Sequence, residues 1–190
     1  MILYEELDLR KIKVFNLVRV PAIGDGSCFF HSILLGVSEE YSNLSQRGKR
    51  IMAANLRLKL AEEFDEGKYK GLSGGELEEL SKHLKGTLDL TLNGLKRTLN
   101  SRDFVGQELV ELVSDELDID IYIIDLDKED LYHLGDPKVY IKDRKSVILG
   151  YSERASHYDL VGLIDGNEII SLFSPNHEVI LKLRSRFDKR

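Results

Sequence analysis

The chain has 190 residues, 42% of them hydrophobic and 32% charged, with a net charge of −6 at neutral pH. That length suits one domain with a core of its own, and the balance of apolar and charged residues excludes the disordered and membrane classes: no apolar run reaches the ~18–20 residues of a membrane span. The acidic surplus argues against nucleic acid as a partner, because phosphate binding needs a concentrated basic surface.

In chain order, residues 14–20 (Val14, Phe15, Leu17, Val18, Val20) read as a strand that stops at Pro21. Gly24-Asp25-Gly26 then makes a tight turn, and Phe29, Phe30, Ile33, Leu34 and Leu35 recur at helical spacing until Gly36. A second helix is predicted over about 45–64, with Ile51, Ala54, Leu58 and Ala61 as its apolar face and Arg and Lys opposite. Ser73-Gly74-Gly75 breaks the chain, Glu76–Lys85 offers a short helix, and 86–100 fits either period. Phe104–Leu117 is helical again, through Val105, Leu109, Leu112 and Val113.

Beyond that point the pattern changes to strands. Ile119–Ile124 is β-branched and aromatic, Val139–Ile141 and Val147–Leu149 look alike, and Tyr158–Ile164 and Glu168–Phe173 flank the turn Asp165-Gly166-Asn167. Helices fill the first two-thirds and strands the last third, which predicts a single α+β domain over 1–190, with a core of about 14–173 and an extension at 174–190. The basic residues at 182–190 (Lys182, Arg184, Arg186, Lys189, Arg190) read as a solvated terminal segment.

Cys28 is the only cysteine, which excludes an internal disulfide and a Cys-rich zinc site. Together with a start that lacks the basic-then-apolar layout of a signal peptide, this predicts a reducing compartment such as cytoplasm. Cys28 follows the Gly-Asp-Gly turn directly and falls in the first helical turn, where unpaired amides and the helix dipole favour thiolate. A thiolate nucleophile needs a base and something to orient that base.

Five histidines compete for the role: His31, His83, His133, His157 and His177. His31 is three residues from Cys28 on the same helix, so local geometry does not reject it, although a packing role suits it better. His83 and His133 read as solvent-facing, and His177 as a loop residue. His157 has the best context: it opens a strand, and Asp159 follows on the same face with Cβ atoms about 7 Å apart. Asp159 is then placed to accept from the Nδ1–H of His157, leaving Nε2 for the thiol proton. Each residue also has a plainer reading, since a lone buried cysteine is usually packing and an aspartate in a Gly-Asp-Gly turn is usually a cap or turn former.

Taken together, Asp25-Gly26-Ser27-Cys28-Phe29-Phe30 resembles the Asp-Gly-x-Cys signature of the ovarian tumour (OTU) family of cysteine proteases, which act as deubiquitinases. His157-Tyr158-Asp159-Leu160-Val161 resembles that family's histidine strand. The segment from Phe104 through Leu117 into Ile119–Ile124 is similar to its middle block, with Phe104-Val105 where many members carry Trp-Gly. The resemblance spans about residues 14–173. It implies a papain-like OTU domain, helices packed on a central, mostly antiparallel sheet, with no metal or cofactor and no membrane.

The same resemblance makes Cys28 the nucleophile, His157 the base, Asp159 its orienter, and Asp25 the residue holding the turn whose amides, with that of Cys28, form an oxyanion hole. Some members take the third member of the triad from elsewhere in the chain. The implied reaction hydrolyses the isopeptide bond after the C-terminal glycine of ubiquitin, in single or polymeric form, or of a ubiquitin-like modifier. The implied enzyme is a monomer in the cytoplasm, or in a host's cytoplasm for a viral or bacterial effector. A catalytically weak ubiquitin-binding module of the same fold is the alternative.

Overall fold

The strand-forming runs of the last third build the centre of a mixed sheet. In a computed structural model, which describes residues 3–9, 11–12, 14, 16–72, 77, 89–105, 107–134 and 144–187, eight strands form one sheet: β1 (Glu5–Glu6), β2 (Leu17–Val20), β3 (Ile119–Asp125), β4 (Asp130–Leu134), β5 (Lys145–Ser152), β6 (His157–Asp165), β7 (Glu168–Ile170) and β8 (Leu172–Phe173). The order is β1-β2-β6-β5-β3-β4, with β7 paired to β6 and β8 to β5. Only β3 and β5 run parallel; the other described pairs are antiparallel. The expected hairpin forms around Gly166, which turns with φ +60°.

Both faces of the sheet are covered, which explains the unbroken apolar runs at 121–124 in β3 and 147–149 in β5. Ile121, Ile123, Val147, Leu149, Tyr158 and Leu160 point into the larger core cluster with the helices of the first two-thirds. Their neighbours Tyr122, Ile124, Ile148 and Val161 point the other way, into a second cluster. The helices are α1 (Cys28–Val37), α2 (Glu39–Asn43), α3 (Gln46–Glu63), α4 (Glu66–Gly71), α5 (Leu92–Asn100), α6 (Val110–Leu117) and α7 (Glu178–Phe187).

Helix α1 is buried on every side from Cys28 to Leu34, so it is a core helix lying against β6. A side chain at Gly36 would meet Leu160 and Val147 at 3.1–3.3 Å, so the glycine lets the helix come that close to the sheet. Ser38 and Ser45 begin α2 and α3 by accepting hydrogen bonds from Tyr41 N and Gly48 N.

Three expectations change. The buried face of α3 is Ala53, Arg57, Leu60 and Ala61, while Ile51 and Leu58 stand exposed. The period holds, but of the expected face only Ala61 is buried, because the carbonyls around Arg57 give it enough partners to turn inward. The helix expected from Phe104 begins only with a 3₁₀ turn at Gln107–Leu109, and Phe104 lies outside any helix before it. Residues 92–100, ambiguous in period, are helical. The basic tail is not merely solvated: α7 buries Val179, Ile180 and Leu183 under the sheet, and Arg184 bonds Tyr122 Oη at 2.8 Å and Asp120 at 3.2 Å. The predicted helix at 76–85 and strand at 139–141 lie outside the described residues, apart from buried Leu77.

Candidate active site

Where β2 ends, the chain turns through Gly24-Asp25-Gly26-Ser27 into α1. Gly26 has φ +77°, and a Cβ there would sit 1.9 Å from the Arg102 carbonyl oxygen, so this turn admits only glycine on both counts. Asp25 holds the turn from inside. Its Oδ1 accepts from Ser27 N at 3.2 Å and from His31 Nε2 at 3.0 Å, and its Oδ2 lies 3.2 Å from Arg50 Nε. His31, fully buried, is held at its other nitrogen by Tyr41 Oη at 2.6 Å. Tyr41 O–H donates to Nδ1 and Nε2–H donates to Asp25, a tautomer that satisfies both ring nitrogens in a neutral ring. Burial lowers the pKa of His31, against the raising effect of Asp25, and raises that of Tyr41. His31 is therefore structural and braces the turn.

Cys28 opens α1 and is 2% exposed. The helix-start argument predicts a thiol inclined to ionise, and the backbone does pull that way, through hydrogen bonds from Tyr158 and Phe29. Burial outweighs it and pushes the thiol above its ordinary value, with the Asp159 charge adding to the rise. In a fully packed helix start, desolvation competes directly with the dipole.

Residues at the start of β6 reach this cysteine from the sheet. Phe29 and Tyr158 meet edge to face at 5.3 Å, and the Ser32 hydroxyl lies 2.8 Å from the Cys28 carbonyl and 3.0 Å from that of Tyr158. Tyr158 also lies under the exposed ring of Phe104, stacked at 5.4 Å. His157, immediately before it, sets its ring beside Gly24: a Cβ on that glycine would fall 3.7 Å from Cε1 and 3.9 Å from Nδ1. The turn before Cys28 and the strand that opens at His157 are thus neighbours.

Asp159 is 5% exposed and does two jobs at once. Its Oδ1 accepts from His157 Nε2 at 3.0 Å and from Ala22 N at 2.8 Å, just where β2 leaves the sheet for the turn. Its Oδ2 lies 3.6 Å from Arg19 Nε, and Arg19 pairs in turn with Glu5 at 2.7 Å. The imidazole engages Asp159 through Nε2 rather than Nδ1, because the distal nitrogen spans the gap between same-face neighbours two residues apart. Nδ1 is then the nitrogen turned to Gly24.

The remaining histidines are elsewhere. His177 accepts from Val179 N at 3.3 Å and packs on Phe173, ending the loop before α7. His133 is on β4, and His83 lies outside the described residues. Among the described residues no cluster of His, Cys, Asp and Glu is arranged to hold a metal ion, and no helix is long and apolar enough to cross a membrane.

Arg57 and Arg19 went unremarked in the sequence. For Arg57 a signal exists: it shares a helical face with Ala53, Leu60 and Ala61, a basic residue at a core position. Arg19 carries none, because an arginine in an edge-like strand is ordinary.

A buried thiol at a helix start, with an imidazole–carboxylate pair on a strand beside the turn before it, brings together the residue types that thiol hydrolysis uses. The surrounding fold is that of the OTU domain. It is similar to the structure of an ovarian tumor (OTU) domain in complex with ubiquitin (TM-score 0.58, 18% identity, covering 89% of this chain and 81% of that one). It is also similar to the viral OTU domain protease from Taggert virus (TM-score 0.52, 19% identity, covering 88% and 89%). No protein-family model and no curated protein matches the sequence.

Proposed function

We propose that this chain is a deubiquitinating cysteine protease in which Cys28 is the nucleophile, His157 the general base and Asp159 the residue that orients it. The observation that carries this reading is the His157–Asp159 pair, joined at 3.0 Å and set against the turn that bears Cys28. The OTU fold supports the substrate class, since one structure similar to this chain is an OTU domain in complex with ubiquitin.

In the proposed reaction, His157 Nδ1 takes the Cys28 proton while Nε2–H stays on Asp159. Sγ attacks the carbonyl carbon of the C-terminal glycine of ubiquitin, and the carbonyl π electrons move onto oxygen. With the Ser27 amide donated to Asp25, the Gly26 and Cys28 amides are the donors in this turn for that oxyanion. The C–N bond breaks as the imidazolium gives its proton to the leaving lysine amine. Water, deprotonated by His157, then attacks the thioester, and the thiolate departs. Residues without side chains suit the substrate's end, because a narrow passage over a buried thiol selects by exclusion. A mechanism that needs a reduced thiol favours a reducing compartment, the cytoplasm.

One observation favours the second reading, a ubiquitin-binding module with weak catalysis: burial pushes the resting thiol up, away from its nucleophilic form. A ubiquitin probe with an electrophilic C-terminus separates the two. The protease reading expects a covalent adduct that is lost in Cys28→Ala, together with release of free ubiquitin from di-ubiquitin. Binding without an adduct supports the module. An adduct that persists in Cys28→Ala overturns the assignment of Cys28.

A further inference from the structure

Arg57 is the most thoroughly bonded side chain around the site. It projects from α3 with only 2% of its surface exposed, and each of its five N–H donors has an acceptor. Nε donates to Leu99 O at 3.1 Å. Nη1 donates to Gly26 O at 3.2 Å and to Ser27 Oγ at 3.0 Å. Nη2 donates to Asp103 O at 3.0 Å and to Thr98 O. The guanidinium carbon also stands 5.2 Å over the ring of Phe30, in the first turn of α1.

Those acceptors belong to three separate parts of the fold. Gly26 and Ser27 are the two residues before Cys28. Thr98 and Leu99 are carbonyls in the last turn of α5, where a cation is favoured. Asp103 precedes Phe104, whose ring stacks on Tyr158, next to His157. The segment 98–103 also carries the Arg102 carbonyl against Gly26. One planar fork therefore sets the turn before Cys28 relative to the segment whose Phe104 packs on the histidine strand.

We propose that Arg57 is a positioning residue for Cys28: its guanidinium holds the Gly26–Ser27 turn, which leads directly into Cys28, in register with the 98–104 segment. The electrostatics agree with the geometry, since the Arg57 guanidinium and the Cys28 thiolate attract each other. A lysine keeps the charge but presents its three donors from one nitrogen, and so does not span acceptors on three segments.

The role in catalysis rests on the reading of Cys28 as nucleophile, so the test uses a readout that does not need ubiquitin. Cys28, as the only thiol, is alkylated with iodoacetamide in the full chain, at fixed pH and well below the melting temperature, in the wild type, Arg57→Lys and Ser27→Ala. The expected result is an alkylation rate down about tenfold in Arg57→Lys and a few-fold in Ser27→Ala. Hydrolysis of a ubiquitin–fluorophore conjugate should lose about 10–100-fold in kcat in Arg57→Lys, with little change in KM. Lower melting temperatures with wild-type alkylation rates would show a purely structural arginine and overturn the proposal. If Arg57→Lys does not fold, Ser27→Ala decides alone, and an unchanged rate there overturns it. A wild type inactive on ubiquitin overturns the protease reading and leaves the alkylation comparison standing.

Discussion

Replacing Asp159 with alanine removes an acceptor that serves two different ends. The Ala22 amide loses a 2.8 Å bond to a charged oxygen in a part-buried place, a loss of about 1.5–3 kcal/mol. The neighbouring Arg19 is one-third exposed and its Nε is 3.6 Å away, so after solvent screening that pair adds at most about 1 kcal/mol. The predicted destabilisation is therefore about 1.5–4 kcal/mol. His157 loses the 3.0 Å anchor on Nε2 and with it a fixed direction for Nδ1. Since a positioned base contributes about 10²–10⁴-fold, a loss of about 10²-fold in kcat with KM within a few-fold is expected. Asp159→Asn keeps an oxygen for Ala22 and His157, and should lose less than about 1 kcal/mol and about tenfold in kcat. Urea unfolding and hydrolysis of a ubiquitin–fluorophore conjugate measure the two effects. A folded Asp159→Ala within about threefold of wild-type kcat would refute the orienting role, and unchanged stability would refute the latch on Ala22.

Two further predictions concern the turn itself. Gly26→Ala combines a positive φ with a Cβ placed 1.9 Å from backbone oxygen, so the backbone must move; a loss above about 3 kcal/mol is expected in urea unfolding, and one below about 1 kcal/mol would contradict the packing. His31 is held neutral in the folded protein, with its pKa lowered chiefly by burial. The unfolded chain therefore binds the extra proton first, so the stability His31 contributes is present above about pH 6.5 and is lost as pH falls through the lower folded value. The urea midpoint should fall on acidification through that range, and the fall should be smaller in His31→Asn; equal slopes would show that His31 does not titrate differently on folding.

Much of the site was legible before any fold was known. The Gly-Asp-Gly turn, the cysteine at the start of an apolar helix and a His-x-Asp strand are local patterns, and local backbone chemistry dictates them. The strands of the last third were legible for a related reason, because the middles of β3 and β5 are covered on both faces and so are continuous apolar runs. What local pattern could not settle was which face of an amphipathic helix is buried. Ile51, Ala54 and Leu58 make as good a stripe as Ala53, Arg57 and Leu60, and only the carbonyls of residues 26, 98, 99 and 103, brought together from distant parts of the chain, make burial of an arginine favourable. The C-terminal segment was misread in the same way, since its basic residues are local while the exposed underside of the sheet that α7 covers is not.

The sequence by itself determined the candidate site residues, the turn that leads into Cys28 and the alternation that puts His157 and Asp159 on one face. Tertiary structure decided that Asp159 also fastens the chain at Ala22 and that burial opposes the helix dipole at Cys28. The physical reason is common to both. Each depends on distances between segments far apart in sequence and on how much water packing leaves around them, and neither quantity is carried by local spacing.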